Sequence, residues 1–325
     1  MFVRKQRSVI VDVVGVGLNA ADTVIELPHF PEFNSKLEFV SARVHLGGQV
    51  ATALSACRNW GISARYVGTV GDDEVSKLQR DDFRRRKIEA HFIKIPCCPS
   101  QRSFILLDRS TGERTILWQR DARLKLLPGH LRREWISGSR VLLVDGHDPA
   151  AATRAAKWAG KFAIPVVADV DNLYPGLKEL LQHTDYLFAS ERFPLRLMRN
   201  SNLLKCLRVI SDRFHCRVTG ATLGALGAVA WDGQRFHYCR GFKARAIDTT
   251  GAGDVFHAGI VYGLLRAWPL DEMLEFSCAA AALNCTAAGA RGGIKSLAEI
   301  RNLMKRGQRS KRAFSLEQLR HYERI

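Results

Sequence analysis

The 325-residue chain is poor in several features that would each commit it to a class. No apolar run approaches the ~20 residues that a helix needs to cross a bilayer, and the longest, such as SVIVDVVGVGL at 8–18, fall far short of it. None of the eight cysteines (57, 97, 98, 206, 216, 239, 278 and 285) belongs to a C-x-x-C pair. Zinc and a disulfide framework are therefore not expected, and reduced, mostly buried thiols are. A G-x-x-x-x-G-K-[ST] loop is missing, which excludes a P-loop enzyme, and the absence of G-x-G-x-x-G after the first strand-like run counts against dinucleotide binding. The basic N-terminus MFVRKQR runs into a strand-like segment without a small-residue cleavage site, so a cytoplasmic location is the default.

Acidic residues are also scarce: 32 Asp and Glu stand against 49 Lys and Arg, a net charge of +17. Eight of the basic residues lie at 301–325, where only Glu317 and Glu323 oppose them, and FRRRK at 83–87 adds a second cluster on a charged helix. Such clusters suit nucleic acid or acidic partners. No aromatic-interleaved or helix-turn-helix pattern accompanies them, so a solvated basic face is the preferred reading.

What is present alternates. Strand-like VIVDVVGVG, ARYVGTVG, RVLLVDG and IPVVADVD are interleaved with the helical QVATALSACRNWG, DEVSKLQRDDFRRRK and AAATRAAKWAGKF. That rhythm predicts an α/β fold, a doubly wound and mainly parallel sheet flanked by helices. TDYLFAS reads as a strand edge, LGAVAWDGQRFHYC as a hairpin around Asp232-Gly233, and the C-terminal third as helical. Two β-rich segments, KLEFVSARVHLGG and SFILLDRSTGERTILWQRD, break the rhythm and are assigned to a small accessory sheet. The expected organisation is one domain over 1–325, with accessory segments at about 20–48 and 96–121 and a basic tail at 301–325.

The run AIDTTGAGDVFHAGIVYGLL at 246–265 carries the chemistry. A glycine-rich loop that opens a helix offers backbone N–H groups and a positive dipole end, hence an anion site. Glycines let a charged group approach the backbone closely. An aspartate inside such a loop repels phosphate, and it makes sense if Asp254 takes a proton from an attacking hydroxyl while the amides hold phosphoryl charge. Strand ends elsewhere present Asp145, His147, Asp148, Asp169, Asp171 and Asn172 to the crevice of an open sheet, although each taken singly suits a helix cap.

DTTGAGDVFHAG resembles the C-terminal signature of the ribokinase-like (PfkB-type) carbohydrate kinases. GLNAADTVIELPHFP, HLGGQVATALSACRNWGISARYVGTVGDD and ATLGALGAVAWDG resemble the family's other motifs, in order, from about Val9 to Ile294. The resemblance implies an ATP- and Mg²⁺-dependent kinase of a sugar or sugar-like alcohol whose accessory sheet closes as a lid. Asp254 would be the general base, and Gly251, Ala252 and Gly253 the anion hole. Asp22, Gly47 and Gly48 would contact the sugar; Thr222, Gly224 and Gly227, with Asn284, would serve the nucleotide. Asp248, Thr250, Cys285, Ala288 and Ala290 fall where the family often binds a monovalent cation such as K⁺.

Departures are visible. Thr52 stands where the family usually has a sugar-contacting Asn, which puts ribose in doubt, and Phe188-Ala189-Ser190-Glu191 keeps only the Glu of the N-x-x-E motif, leaving Glu191 as the candidate Mg²⁺ residue. Lys36 and Arg120, with Arg43, Gln101 and Arg102, lie on or beside the lid and could read an acidic group on the substrate. A nucleoside kinase is the alternative enzyme, with Phe39, Phe104 and Trp118 available as an aromatic clamp. A nucleic-acid-binding or regulatory protein with a kinase fold is the alternative of another class. A homodimer through the lid edges is a further expectation, and no membrane partner is expected.

Overall fold

Consecutive residues of a strand point to opposite faces of its sheet, so a strand that is apolar throughout must be covered on both sides. The first strand, β1 (Val11–Val16), obeys this: Val13 joins one core cluster, while Val14 and Val16 join another. The protein was analysed as a computed structural model that describes residues 11–111, 114–311 and 314. After β1 the strands are β2 (Ala20–Leu27), β3 (Ser41–Gly47), β4 (Ala64–Val70), β5 (Glu89–Lys94), β6 (Arg102–Asp108), β7 (Arg114–Gln119), β8 (Ser139–Asp145), β9 (Val166–Val170), β10 (Tyr186–Ser190), β11 (Val218–Thr222), β12 (Gly227–Trp231) and β13 (Phe236–Arg240). The helices are α1 (Gln49–Asn59), α2 (Glu74–Arg85), α3 (Arg133–Ser137), α4 (Pro149–Lys161), α5 (Leu177–Leu181), α6 (Arg192–Met198), α7 (Leu203–Phe214), α8 (Ala252–Leu265), α9 (Leu270–Asn284) and α10 (Leu297–Arg306).

Among the described residues, nine strands form the main sheet in the order β13-β12-β11-β10-β9-β8-β1-β4-β5, parallel except for the β11-β12-β13 hairpins. From β1 the chain builds outward to β4 and β5, then returns to β8 on the other side of β1. The strand order therefore reverses between β1 and β8, and ligand crevices form at such a point, beyond the carboxyl ends of the strands. α1, α8 and α9 pack on one face and α4 and α5 on the other.

The doubly wound sheet expected from the sequence is thus present, with the hairpin at Asp232-Gly233. TDYLFAS is not an edge: β10 lies inside the sheet between β9 and β11. A strand without a separate sequence signal, β5, takes the edge beside β4.

The second sheet has the order β3-β2-β6-β7. Its register aligns His45, Asp22, Ser103 and Trp118 in one row across the four strands. Residues opposite one another share a face, so this row and its alternate neighbours on β7, Ile116 and Arg114, look the same way. Val44, Thr23, Phe104 and Leu117 form the row on the opposite face.

The first part of the basic tail is structural. Ser296 caps α10, whose Ile300 is fully buried. Beyond it Arg309 pairs with Glu275 and lies over the Phe242 ring, 3.6 Å from its centre. Arg312, Arg320 and Arg324 lie outside the described residues. In the other basic cluster, Phe83 is core, while Arg84 pairs with Asp81, and Arg85 and Arg86 pair with Asp82. No helix among the described residues is long and apolar enough to cross a membrane.

Helix α8 carries the signature aspartate, and its seat on α9 depends on Gly259, where a Cβ would run into the side chain and backbone of Ser277. Gly259→Val should therefore cost about 1–3 kcal/mol through overpacking and lower turnover by displacing the start of α8. Urea unfolding measures the first effect; a variant as stable as wild type would contradict this account of the helix contact.

Candidate active site

The DTTGAGD run becomes a loop and the first turn of α8. Gly251 is the N-cap residue, with φ 77°, and a Cβ there would strike the backbone of Ala290. The position needs glycine on both counts. No side chain caps the helix, so its first amides stay available to an anion.

Asp254 sits in that first turn, partly exposed. Burial pushes its carboxyl well above the ordinary range, and the charges of Asp169 and Asp22 push the same way against the pull of His257 and Arg291. Asp169, on β9, is raised as well, chiefly by burial and then by Asp171 and Asp145. Asp22, on β2, accepts a 2.5 Å hydrogen bond from the Ser103 hydroxyl, yet burial still raises it. Three carboxylates from three elements thus converge on one cleft.

Arg291, which sequence reasoning passed over in the loop AAGARGG, answers this charge. It is buried, donates to Asp82 at 2.6 Å and to the Gly47 carbonyl at 2.7 Å, and lies over the Phe83 ring. A buried arginine must be paired, and this one is. The only signal available was an arginine between small residues just past the signature helices.

His257, one turn beyond Asp254, lies among three oxygens. Its Nδ1 is 2.8 Å from the Gly253 carbonyl and 3.2 Å from Asp169, and its Nε2 is 3.0 Å from the Phe188 carbonyl. Burial holds its pKa below the usual histidine value.

The remaining expected residues divide. Gly47 ends β3 and Gly48 precedes α1 at φ 92°; a Cβ at Gly47 would touch the Asp22 carboxylate. Thr52 is fully buried on α1, 3.5 Å from the Arg291 guanidinium. Lys36 is exposed in the loop before β3. Arg120 forms a close ion pair with Asp148 and donates to the Leu124 carbonyl. His147 packs on Tyr174, with Nδ1 3.3 Å from its hydroxyl.

On the other side of the anion loop, Thr222, Gly224 and Gly227 line a cavity of about 250 Å³ together with Phe242, Phe256 and Ala281; Ala252 and Gly253 close its end. Asn284 does not line this cavity. It is fully buried, and its amide bridges the Thr250 and Ala290 carbonyls at 3.2 and 3.1 Å.

One cavity is therefore lined both by the glycine turn of β11–β12 and by the loop that leads to the aspartate. The pfkB family carbohydrate kinase model matches residues 12–297. The chain belongs to the pfkB family of carbohydrate kinases. It is 27% identical over 288 residues to the ribokinase of Haemophilus influenzae, covering 86% of this chain and 94% of that one. It is 25% identical over 277 residues to the ATP-dependent ribose-1-phosphate kinase of Halopiger xanaduensis, covering 83% and 90%. Among solved structures, Arabidopsis thaliana ribokinase complexed with ribose and ATP has the same fold, with a TM-score of 0.80 at 22% identity and coverage of 91% and 99%. This pfkB-family chain is a carbohydrate kinase with a ribokinase fold.

The metals implied by that membership meet different surroundings. Glu191 is exposed at the start of α6, and among the described residues no group of three or more His, Cys, Asp or Glu could hold a metal ion. Mg²⁺ commonly keeps water and phosphate oxygens with only one or two carboxylates, so a single glutamate suits an ion that arrives with nucleotide. At the expected monovalent site, the Asp248 carboxylate already accepts from Thr250 N and Oγ1, Gly289 N and Arg114 Nη1. The Cys285 carbonyl accepts from the amides of Ile247 and Asp248.

If Asp169 helps to set the proton affinity of Asp254, removing its charge should lower it. Asp169→Asn should move the acidic limb of the kcat/KM pH profile to lower pH, because the base then stays unprotonated further into acid. A limb that stays in place would mean that burial alone sets the Asp254 value.

Proposed function

We propose that the protein transfers the γ-phosphoryl group of ATP to a hydroxyl of a sugar or sugar derivative, with Asp254 as the general base. The observation that carries this reading is one mostly apolar cavity, large enough for a flat ring, whose lining includes Thr249, Ala252 and Gly253 at the uncapped start of α8, the turn that also carries Asp254. Adenine fills the cavity next to Gly224 and Gly227, and the triphosphate runs toward the start of α8. Glu191 would help to hold Mg²⁺ arriving with the nucleotide, and the ion would supply neutralisation of phosphate charge. The acceptor lies over Asp22 and the Gly47-Gly48 turn, its reacting hydroxyl toward Asp254. Asp254 takes the proton as the oxygen attacks, and the loop amides hold the charge of the transferred group. Its raised proton affinity suits a base that works near neutral pH.

Trp118 gives the nucleoside reading a specific support. It shares the Asp22 row of the lid and is 65% exposed, an aromatic surface on the face that looks toward the acceptor. A ribose-linked base or the apolar face of a sugar ring could stack there. The opposite face exposes Val44, Phe104 and Leu117 in one row, an apolar strip suited to a second copy of the chain. A light-scattering mass of one chain would remove the dimer.

ADP release from Mg·ATP should be measured against pentoses, ketohexoses, sugar phosphates, sulfosugars and nucleosides. Asp254→Asn should lose about 10²–10⁴-fold in turnover while keeping the wild-type melting profile. Wild-type turnover in that variant would remove Asp254 from its role. An acidic limb of wild-type kcat/KM within the ordinary aspartate range, near ~4, would oppose a base with raised affinity.

A further inference from the structure

We propose that Arg114 is a built-in cation: its guanidinium holds the Asp248 carboxylate and so takes over the charge that a monovalent ion would supply beside the anion loop. The inference concerns the regulation of the site described above and rests on that reading of it.

The first observation is capacity. An ionised carboxylate offers about four lone-pair sites. At Asp248, Oδ1 accepts from the Thr250 amide at 2.8 Å, the Thr250 hydroxyl at 2.7 Å and Arg114 Nη1 at 3.1 Å, and Oδ2 accepts from the Gly289 amide at 2.8 Å. The same Arg114 nitrogen donates to Thr250 Oγ1 at 3.3 Å. Three donors more than fill Oδ1, and Oδ2 already holds the Gly289 amide, so an ion at this carboxylate would have to compete with the Arg114 guanidinium. The Thr250 and Ala290 carbonyls are bridged by the Asn284 amide, and the Cys285 carbonyl takes two backbone N–H groups. The Cys285 carbonyl is filled, and the Thr250 and Ala290 carbonyls each already hold one bond that ties the loops together.

The second observation is charge. Asp248 is nearly buried, with a side chain 10% exposed, and an ionised buried carboxylate needs a counter-charge. Arg114, 32% exposed, is the cation whose hydrogen bond it accepts. A guanidinium never loses its proton at physiological pH, so the positive charge next to Asp248 does not vary with the salt composition of the medium.

The third observation is origin. Arg114 opens β7, the outer strand of the lid sheet, on the same face as Asp22 and Trp118, whereas Asp248 lies two residues before Thr250 in the loop leading to α8. The charge is thus covalently attached to the lid, and the pair joins lid to anion loop in a way that a diffusible ion does not.

The test compares wild type, Arg114→Met and Arg114→Lys in potassium chloride and in N-methylglucamine chloride at equal ionic strength, reading both thermal melting and kinase turnover. Wild type and Arg114→Lys should melt at the same temperature in both salts and show turnover within about twofold. Arg114→Met should lose about tenfold or more in turnover without potassium, and potassium should restore part of the rate and raise the melting temperature. Potassium stimulation of wild type by several-fold would overturn the proposal, as would a folded Arg114→Met protein indifferent to potassium in both readouts. If Arg114→Met shows no folding transition, a potassium response of Arg114→Lys or wild type decides against the proposal and its absence decides for it. Melting needs no acceptor, so an unidentified substrate leaves this test intact and separates its failure from failure of the kinase reading.

Discussion

Like charges held close together out of water constrain this molecule more than any other feature. Asp22, Asp169 and Asp254 approach one cleft from β2, β9 and α8, and each has its proton affinity raised by burial. The arrangement is tolerable because Arg291 is buried nearby, and Arg291 is tolerable because Asp82, the Gly47 carbonyl and the Phe83 ring hold it. That single buried charge ties together the end of β3 at Gly47, helix α2 and the loop after α9.

The same logic recurs at Asp248 on a smaller scale. There a carboxylate fixes the loop leading to α8 by collecting donors from Thr250, Gly289 and Arg114. Burial of acids sets a requirement for positive charge, and arginines from segments distant in sequence meet it. Arg85, Arg86 and Arg291 share Asp82, and Arg114 and Arg120 meet Asp248 and Asp148.

The fold was legible where apolar periodicity and turn residues act locally. The doubly apolar strands β1, β8 and β9, the hairpin at Asp232-Gly233 and the helix after DTTGAGD all follow from neighbours in sequence. TDYLFAS was misread because a five-residue apolar strand looks alike at an edge and in a sheet interior, and β10 is interior. In the site, the loop and its aspartate announced themselves by composition. Arg291 and Arg114 did not, since an arginine beside glycines or after a turn reads as solvated until its distant partner is known. Asn284 was read as nucleotide-facing from its motif position, and its side chain is buried, bridging the Thr250 and Ala290 carbonyls. The second sheet's register, which puts Trp118 in the same row as Asp22 across Ser103, depends on strand pairing that no periodicity encodes.

The segment after α10 illustrates how misleading the word tail can be. Arg309 rests on Phe242, approaches the Cys239 thiol at 3.6 Å and pairs with Glu275, while Phe242 and Cys278 line the cavity on its other side. The backbone of Lys243 and Ser310 completes this contact through bonds to Gln308 and Gly241. The segment 307–311 thus backs one wall of that cavity. A protein shortened just past α10 would lose the outer support of the cavity wall at Phe242, far along the sequence from that wall.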